Sequence, residues 1–330
     1  MATISDVAAR AGVSTATVSR ALNGKSTVDP ALAARALDAA RELGYQPNGP
    51  ARNLRRQEAA VVALIISDVE NPFFTAIARG VEDVAHTVGL SVVLCNSDED
   101  AEKERRYVDV AIQERAAGVI VSPTATATSV HALIQRGTPV VAVDRPLPGR
   151  ESDTVLVDTR AAARQATTHL IEQGYARVGC VTGPSGVRTA DDRLAGYRDA
   201  LKAAGRRGSA GLVRRTEFKA AGAEKAAADL LDQDDRPDAL LVANSAMAVG
   251  VLAALRSHGL GAGRDVGIVA FDDVPWAGLV DPPMTVVAQP AYEIGTVAAQ
   301  LLLARMADNT RAATTTTLSA RLVERGSSHR

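Results

Sequence analysis

The chain has 330 residues, room for two or three domains of roughly 150 residues, and its 46% hydrophobic content is enough for real cores, so whole-chain disorder is excluded. The 37 Lys and Arg nearly balance the 38 Asp and Glu, but unevenly: residues 1–58 carry eight basic against five acidic side chains, and the remaining 272 residues carry a net charge of −4. A polyanion partner is therefore a question about the first sixty residues only.

Residues 1–10 alternate polar and apolar side chains and include Asp6. An export signal needs an uninterrupted apolar core, so the expected location is the cytoplasm. Thr3-Ile4-Ser5-Asp6 fits the capping pattern in which a side-chain oxygen accepts a free helix N–H and a carboxylate favours the positive helix start. A short helix is predicted there, with Ile4, Val7, Ala8 and Ala11 on one face and Gly12 ending it in a left-handed turn. Ser14 caps a second helix, Thr15–Leu22, whose Val18 and Leu22 are spaced to pack on the first. Asp29 and Pro30 open a third, which carries Leu32, Ala36, Leu37, Ala40 and Leu43 inward until Gly44 stops it.

Small Ala8, turn-making Gly12 and apolar Val18 let two short helices cross closely, as a helix-turn-helix requires. The outward residues of the second helix, Thr15, Ala16, Thr17, Ser19 and Arg20, suit phosphates, base edges and thymine methyls in a major groove. A three-helix bundle with a solvated polar face fits the same spacing.

The stretches Thr3–Ser14, Thr17–Asn23 and Glu42–Asn48 resemble the headpiece of LacI/GalR-type transcriptional regulators. That resemblance implies base reading mainly by Thr15, Ala16 and Arg20, with phosphate contacts from Thr3, Ser14, Thr17, Asn23, Tyr45 and Asn48. It also implies a hinge helix at Ala51–Arg55 whose Leu54 wedges into the minor groove at the centre of a palindromic operator and bends the double-stranded DNA. Gly49-Pro50 stands where family members usually carry helix formers, so a shorter or less readily ordered hinge is expected, although proline is tolerated at a first helical position.

Beyond residue 60, apolar runs recur at Val61–Ile66, Val92–Leu94, Val119–Val121, Val140–Val143, Val155–Val157, Val178–Val181, Leu240–Val242 and Ile268–Phe271. Each is far below the roughly 20 residues that span a bilayer, so no membrane segment is expected. Strands alternating with Ala-rich helices predict an α/β fold of parallel sheets covered on both faces; Thr314–Thr317 reads as strand or linker. Ligands bind such sheets beyond the carboxyl ends of the strands. Ser67-Asp68, Asn96, Asp144-Arg145, Thr182, Asn244-Ser245 and Asp272-Asp273 stand at those ends and together suit a polyhydroxylated ligand, whereas any one Asp alone reads first as a helix cap. Arg193, on a predicted helix, is placed either to clamp hydroxyls or a carboxylate or to pair at the surface with Asp191 or Asp192. Phe73 and Phe74 follow Asn71-Pro72 in a chain with only 3% aromatics; core packing accounts for one, and the other, with Phe218, is a candidate ligand wall.

Asn71–Phe74, Leu94–Asp100, Val143–Pro146, Arg193–Tyr197, Val269–Asp273 and Gln289–Glu293 extend the resemblance to the family's regulatory core, itself similar to periplasmic sugar-binding proteins. The resemblance implies two Rossmann-like subdomains joined by three crossovers, clamping a small effector such as a sugar through Phe73, Phe74, Asp144, Thr189, Arg193, Phe218, Asn244, Asp272 and Gln289. The implied organisation is a headpiece at 1–48, a hinge and linker at 49–59, and a dimerising core at 60–330, with one subdomain at about 60–156 and 290–317 and the other at about 157–289 and 318–330. Ser245 departs from the family, where an Asp usually follows the Asn, which affects either the choice of effector or the cap of the following helix.

The five histidines, His86, His131, His169, His258 and His329, are isolated in sequence, and no phosphate loop or nucleophile motif accompanies them, so neither catalysis, a cofactor nor a metal is expected. Cys95 and Cys180 follow apolar runs and are expected as buried free thiols. A palindromic site and the family resemblance imply a homodimer; residues 318–330 lack the heptads of a tetramerising coiled coil, which leaves a tetramer only through another surface. The expected function is a palindrome-binding transcriptional regulator, a repressor, controlled by a sugar or sugar derivative; the alternative is a solute-binding or sugar-metabolising α/β protein with an accessory helical module.

Overall fold

The computed structural model describes residues 2–22, 27–45, 61–124, 129–149, 151–206 and 210–330. The chain divides into two compact units, Met1–Ala59 and Ala60–Arg330. In the first, helices α1 (Ile4–Ala11), α2 (Thr15–Leu22) and α3 (Pro30–Glu42) enclose Val7, Ala8, Ala11, Val18, Ala21, Ala36, Ala39 and Ala40. Thr3 and Asp6 form a complete capping box on α1, and Gly12 ends that helix at φ +62°. Asp29 caps α3 through the Ala31 and Leu32 N–H groups. The inward stripe of α3 is Ala36, Ala39 and Ala40, while Leu37 and Leu43, expected inside, stay 39% and 37% exposed. Leu37 is one residue, about 100°, off that stripe, and Leu43 is already the non-helical cap. Asn23, Asn48, Leu54 and the whole 49–59 hinge lie outside the described residues.

The second unit contains, among the described residues, two six-stranded sheets. The first runs β11-β5-β4-β3-β1-β2, with β1 (Val61–Ile66), β2 (Ser91–Asn96), β3 (Gly118–Val121), β4 (Val140–Val143), β5 (Asp153–Val157) and β11 (Thr315–Leu318) all parallel. The second runs β12-β10-β9-β8-β6-β7, with β6 (Val178–Thr182), β7 (Val213–Arg215), β8 (Ala239–Val242), β9 (Gly267–Phe271), β10 (Thr285–Ala288) and β12 (Arg321–Val323). Only β12 departs from the expected parallel pattern, pairing antiparallel with β10. The threonine run forms the edge strand β11, whereas β7 and β12, of three residues each, are too short for an apolar run to reveal them, and β10 is not among the predicted runs.

Helices α4 (Pro72–Thr87), α5 (Ala101–Gln113), α6 (His131–Gln135) and α11 (Ala291–Ala307) belong to the first sheet's lobe, and α7 (Thr159–Glu172), α8 (Arg188–Ala203), α9 (Ala220–Leu231) and α10 (Ser245–Ser257) to the second. The chain passes between lobes three times, at Asp158, at Gln289-Pro290 and at Ser319-Ala320. Both faces of each sheet are covered, and β1 shows why its sequence is an unbroken apolar run. Val62, Leu64 and Ile66 pack with Ile77, Val81 and Ile294 on one face, while Ala63 and Ile65 meet Val108, Ala111 and Leu133 on the other. Among the described residues no helix is long and apolar enough to cross a membrane.

Helix α11, from late in the chain, lies against α4 at backbone distance. A Cβ on Gly80 would stand 2.2 Å from the Tyr292 carbonyl oxygen, and one on Gly295 would stand 2.1 Å from that of Ile77. Both neighbours are helix backbone, which cannot rotate aside. Gly295→Ala is therefore expected to force the helices apart and lower stability by about 1–3 kcal/mol, the usual range for overpacking. Urea unfolding checks this; an unchanged midpoint would show that the pair tolerates a wider spacing.

Candidate functional site

In the helical unit, Ser14 closes the turn before α2: its Oγ accepts the Thr17 N–H at 3.1 Å and shares a 2.9 Å hydrogen bond with the Thr17 hydroxyl. Val18 is buried, which turns Thr15, Ala16 and Arg20 to solvent within about 140° of helix circumference. Thr3 is exposed, its hydroxyl engaged with Asp6, and Tyr45 rests partly buried on the helical core. One interaction here had no sequence signal. Arg35 of α3 donates Nη2 to the Ala11 carbonyl at 2.5 Å, satisfying an oxygen that the end of α1 leaves free and fixing α3 on the turn.

In the larger unit, all nine residues that the family resemblance implies, Phe73, Phe74, Asp144, Thr189, Arg193, Phe218, Asn244, Asp272 and Gln289, line one cleft between the lobes, with a cavity of about 170 Å³. Strand ends and helix starts bring them there. Asp144 follows β4 and Asp272 follows β9, each in the left-handed region at φ +66° and +77°, which is costly for a residue with a Cβ and recurs at functional sites. Asn71 caps α4 by accepting the Phe73 N–H at 3.0 Å, and the adjacent rings of Phe73 and Phe74 then meet edge to face with centroids 5.1 Å apart. Both phenylalanines are buried in the first lobe's core and both line the cleft.

Arg193 is buried. Asp191 pairs instead with Arg215, and Asp192 with Arg188, which removes the surface pairing as an explanation for the arginine. Its guanidinium donates Nη1 to the Ala243 carbonyl at 2.7 Å and lies 4.3 Å from the Phe271 ring centre, while Nε is buried without a partner. Burial pulls the Arg193 pKa down, opposed by Asp272 and Asp144. The same burial raises Asp144 and Asp272 above the usual carboxylate range, against the pull of Arg145 on the first and Arg193 on both. Asp272 accepts the Gln289 amide N–H at 2.7 Å and the Ser245 N–H at 3.3 Å, and the remaining Gln289 oxygen, Oε1, is buried and unpaired.

The strand-end positions already put Asp68 and Arg145 beside the cleft, whereas sequence reasoning does not pick out Asp98, Glu99, Glu217 and Lys219 as site residues. Arg145 reaches Glu99 through Nη1 at 2.8 Å and Nη2 at 2.5 Å, and Asp144 through Nε at 3.1 Å. Asp68, Asp98, Glu217 and Lys219 also line it. Other strand-end residues serve the scaffold instead: Asn96 accepts the Val69 N–H, Thr182 donates to the Ala190 carbonyl, and Asp273 pairs with Arg325. The departure at Ser245 leaves the cap intact, because the Asn244 side chain accepts the Met247 N–H at 2.7 Å. Among the described residues no group of three or more His, Cys, Asp or Glu is placed to hold a metal. Cys95 and Cys180 are free and buried, and burial pushes the Cys180 thiol up to about 12.

Residues 3–48 match the family model of bacterial regulatory proteins, lacI family, and residues 167–328 that of the periplasmic binding protein-like domain. The chain is 38% identical over 303 residues to the ribose operon repressor of Halalkalibacterium halodurans, covering 92% of this chain and 90% of that protein. Over 330 residues it is 35% identical to the ribose operon repressor of Escherichia coli strain K12, covering 99% and 100%. A solved complex of the transcriptional regulator CelR with cellobiose superposes with a TM-score of 0.75 at 32% identity, covering 99% and 100%.

The raised carboxylates have a signature in the ligand-free protein. A folded state with a raised carboxyl pKa binds protons that the unfolded chain still releases, so the wild type gains stability as pH falls through the folded value. The gain is complete below the unfolded value of 3.8. Relative to an Asp144→Asn variant, the wild type should therefore become progressively more stable in urea unfolding as the pH is lowered from neutral towards 3.8. A constant difference, or one moving the other way, contradicts the assignment.

Proposed function

The chain belongs to the lacI family of bacterial regulatory proteins, and from that premise we propose that it represses transcription as a cytoplasmic homodimer on a palindromic operator, with its DNA affinity set by one uncharged pentose. The headpiece at 1–48 reads the DNA, the 49–59 hinge couples it, and the core at 60–330 senses the ligand. The exposed run Thr15, Ala16 and Arg20 supports base reading, with Thr3, Ser14, Thr17 and Tyr45 on phosphates. Asn23, Asn48 and the Leu54 wedge enter from the sequence resemblance. The edge strand β2 supports dimerisation: it leaves Val93 and Leu94 49% and 43% exposed on an open sheet edge, and Leu279 is 84% exposed.

The pair of unmatched polar atoms in the cleft carries the ligand reading. Arg193 Nε needs an acceptor and Gln289 Oε1 a donor, and a sugar hydroxyl is both. Each cleft cation already has a partner, Arg145 and Lys219 with carboxylates and Arg193 with a carbonyl, which disfavours a phosphorylated ligand. A cavity of about 170 Å³ is well below the roughly 300–1,000 Å³ of pockets for drug-sized ligands and suits a single ring. The names of the ribose operon repressors point to the same pentose, and the cellobiose in the CelR complex to the wider class of uncharged sugars. Phe73, Phe74 and Phe218 supply apolar walls, and Asp144, Asn244, Asp272 and Thr189 hold hydroxyls. The cleft binds its ligand without transforming it. Ligand that prefers one closure state shifts the hinges of both protomers, and couplings of this kind are typically about 1–3 kcal/mol.

Capture of genomic fragments by the purified full-length protein at physiological salt, with and without D-ribose, tests the reading. Recovery of a palindromic site whose occupancy responds to D-ribose, and not to D-ribose 5-phosphate or a nucleoside, is the expected result. No preferred site under any condition overturns the regulator mechanism, and a response only to the phosphate ester overturns the ligand class. Asp272→Ala should abolish the ligand response and leave site capture intact; a variant that responds like the wild type removes Asp272 from the site.

A further inference from the structure

Among the described residues, every ion pair that crosses the cleft is made by one side chain. Lys219 stands between β7 and α9 in the second lobe, and its Nζ lies 3.0 Å from Asp68 Oδ2, 3.2 Å from Asp98 Oδ1 and 3.4 Å from Glu70 Oε2, all in the first lobe. The other cleft cations bond within their own lobe, Arg145 to Glu99 and Asp144, and Arg193 to Ala243. The bridge sits at the cleft mouth: the Lys219 and Asp98 side chains keep 41% and 38% of their exposure, whereas that of Asp68, on the inner side, keeps 9%. Asp98 and Glu99 are consecutive left-handed residues, at φ +55° and +57°. This kink sends one carboxylate to Lys219 and the next to Arg145. Lys103 fixes Asp98 from the same lobe at 3.2 Å, so the anchor is set whether or not Lys219 is present.

We propose that Lys219 is a positioning residue that latches the two lobes across the cleft mouth, so that the closed state is populated before ligand arrives and ligand leaves slowly once bound. The proposal rests on the cleft being the effector site. Its physical basis is that the bridge joins groups on different lobes and is therefore made only when they meet. Removing the ammonium also leaves Asp68, Glu70 and Asp98 of the first lobe facing Glu217 of the second with no cation between them, which favours opening. Because the bridge is partly wet, its effect is modest and screened by salt.

The test uses the full-length protein carrying one dye on each lobe, on cysteines introduced at the exposed residues Glu114 and Asp234. Single-molecule energy transfer is recorded without ligand for the wild type, Lys219→Met and Asp98→Asn. The wild type is expected to show the largest closed fraction and to lose part of it in about 0.3 M added salt, with Lys219→Met opener and not opened further by salt, which screens its remaining repulsion, and Asp98→Asn in between. D-ribose should dissociate from Lys219→Met faster by on the order of fivefold, the size of a partly exposed ion pair. Equal closed fractions and equal salt responses in the wild type and Lys219→Met overturn the latch. A closed fraction that follows Lys219 and salt in a protein that binds no D-ribose supports the latch and overturns the ligand reading instead.

Discussion

Two carboxylates and a guanidinium, each with its side chain buried, confront one another in the cleft: Asp144 from one lobe, Asp272 and Arg193 from the other. Each would be prohibitively costly alone in a medium of low polarity, and each is tolerable because the others are near. The surrounding architecture serves that balance. Parallel strands end where the charges are needed, helix caps such as Asn71 and Asn244 satisfy the backbone beside them, and Phe271 offers its ring face to the arginine. The compensation is incomplete, since two polar atoms remain unmatched, and an incomplete buried network is one that a ligand can complete.

The same balance makes the lobes interdependent. Asp144 and Arg193 influence each other's ionisation although they belong to different sheets, so the protonation of one lobe's floor depends on the position of the other. The three crossovers keep the lobes within reach, and the left-handed turns at Asp144 and Asp272 fix where the carboxylates stand when they arrive. Pre-set geometry of this kind lets a small ligand decide between open and closed arrangements without first ordering the site.

How much of this was legible in the sequence follows from the range of the interactions. The caps of α1 and α3, Gly12 and most strands are local signals, and they read out directly. The cleft floor was legible because its residues stand just past apolar runs, a position that carries meaning in any parallel sheet. Leu37 was misread because an alanine stripe packs helices as well as a leucine stripe does and at shorter distance, so size is a poor guide to direction in so alanine-rich a unit. Arg35 and Lys219 gave no signal. Each is a basic residue on a polar stretch, and its role comes from a partner 24 or 151 positions away that only the folded chain brings near.

The close contact of α4 with α11 joins residues near 80 to residues near 295, and β11 at Thr315–Leu318 completes the edge of the sheet that β1 begins. The first lobe is thus assembled from both ends of the core, with the second lobe emerging in between. A chain growing from its amino terminus on the ribosome has all the groups of its three-helix unit after some 45 residues, yet it cannot finish its first lobe until β11, ending at Leu318, has been added. Nascent or truncated chains would therefore have the reading helices without the sensor. The order of synthesis makes clearance of incomplete chains a condition for faithful control by the ligand.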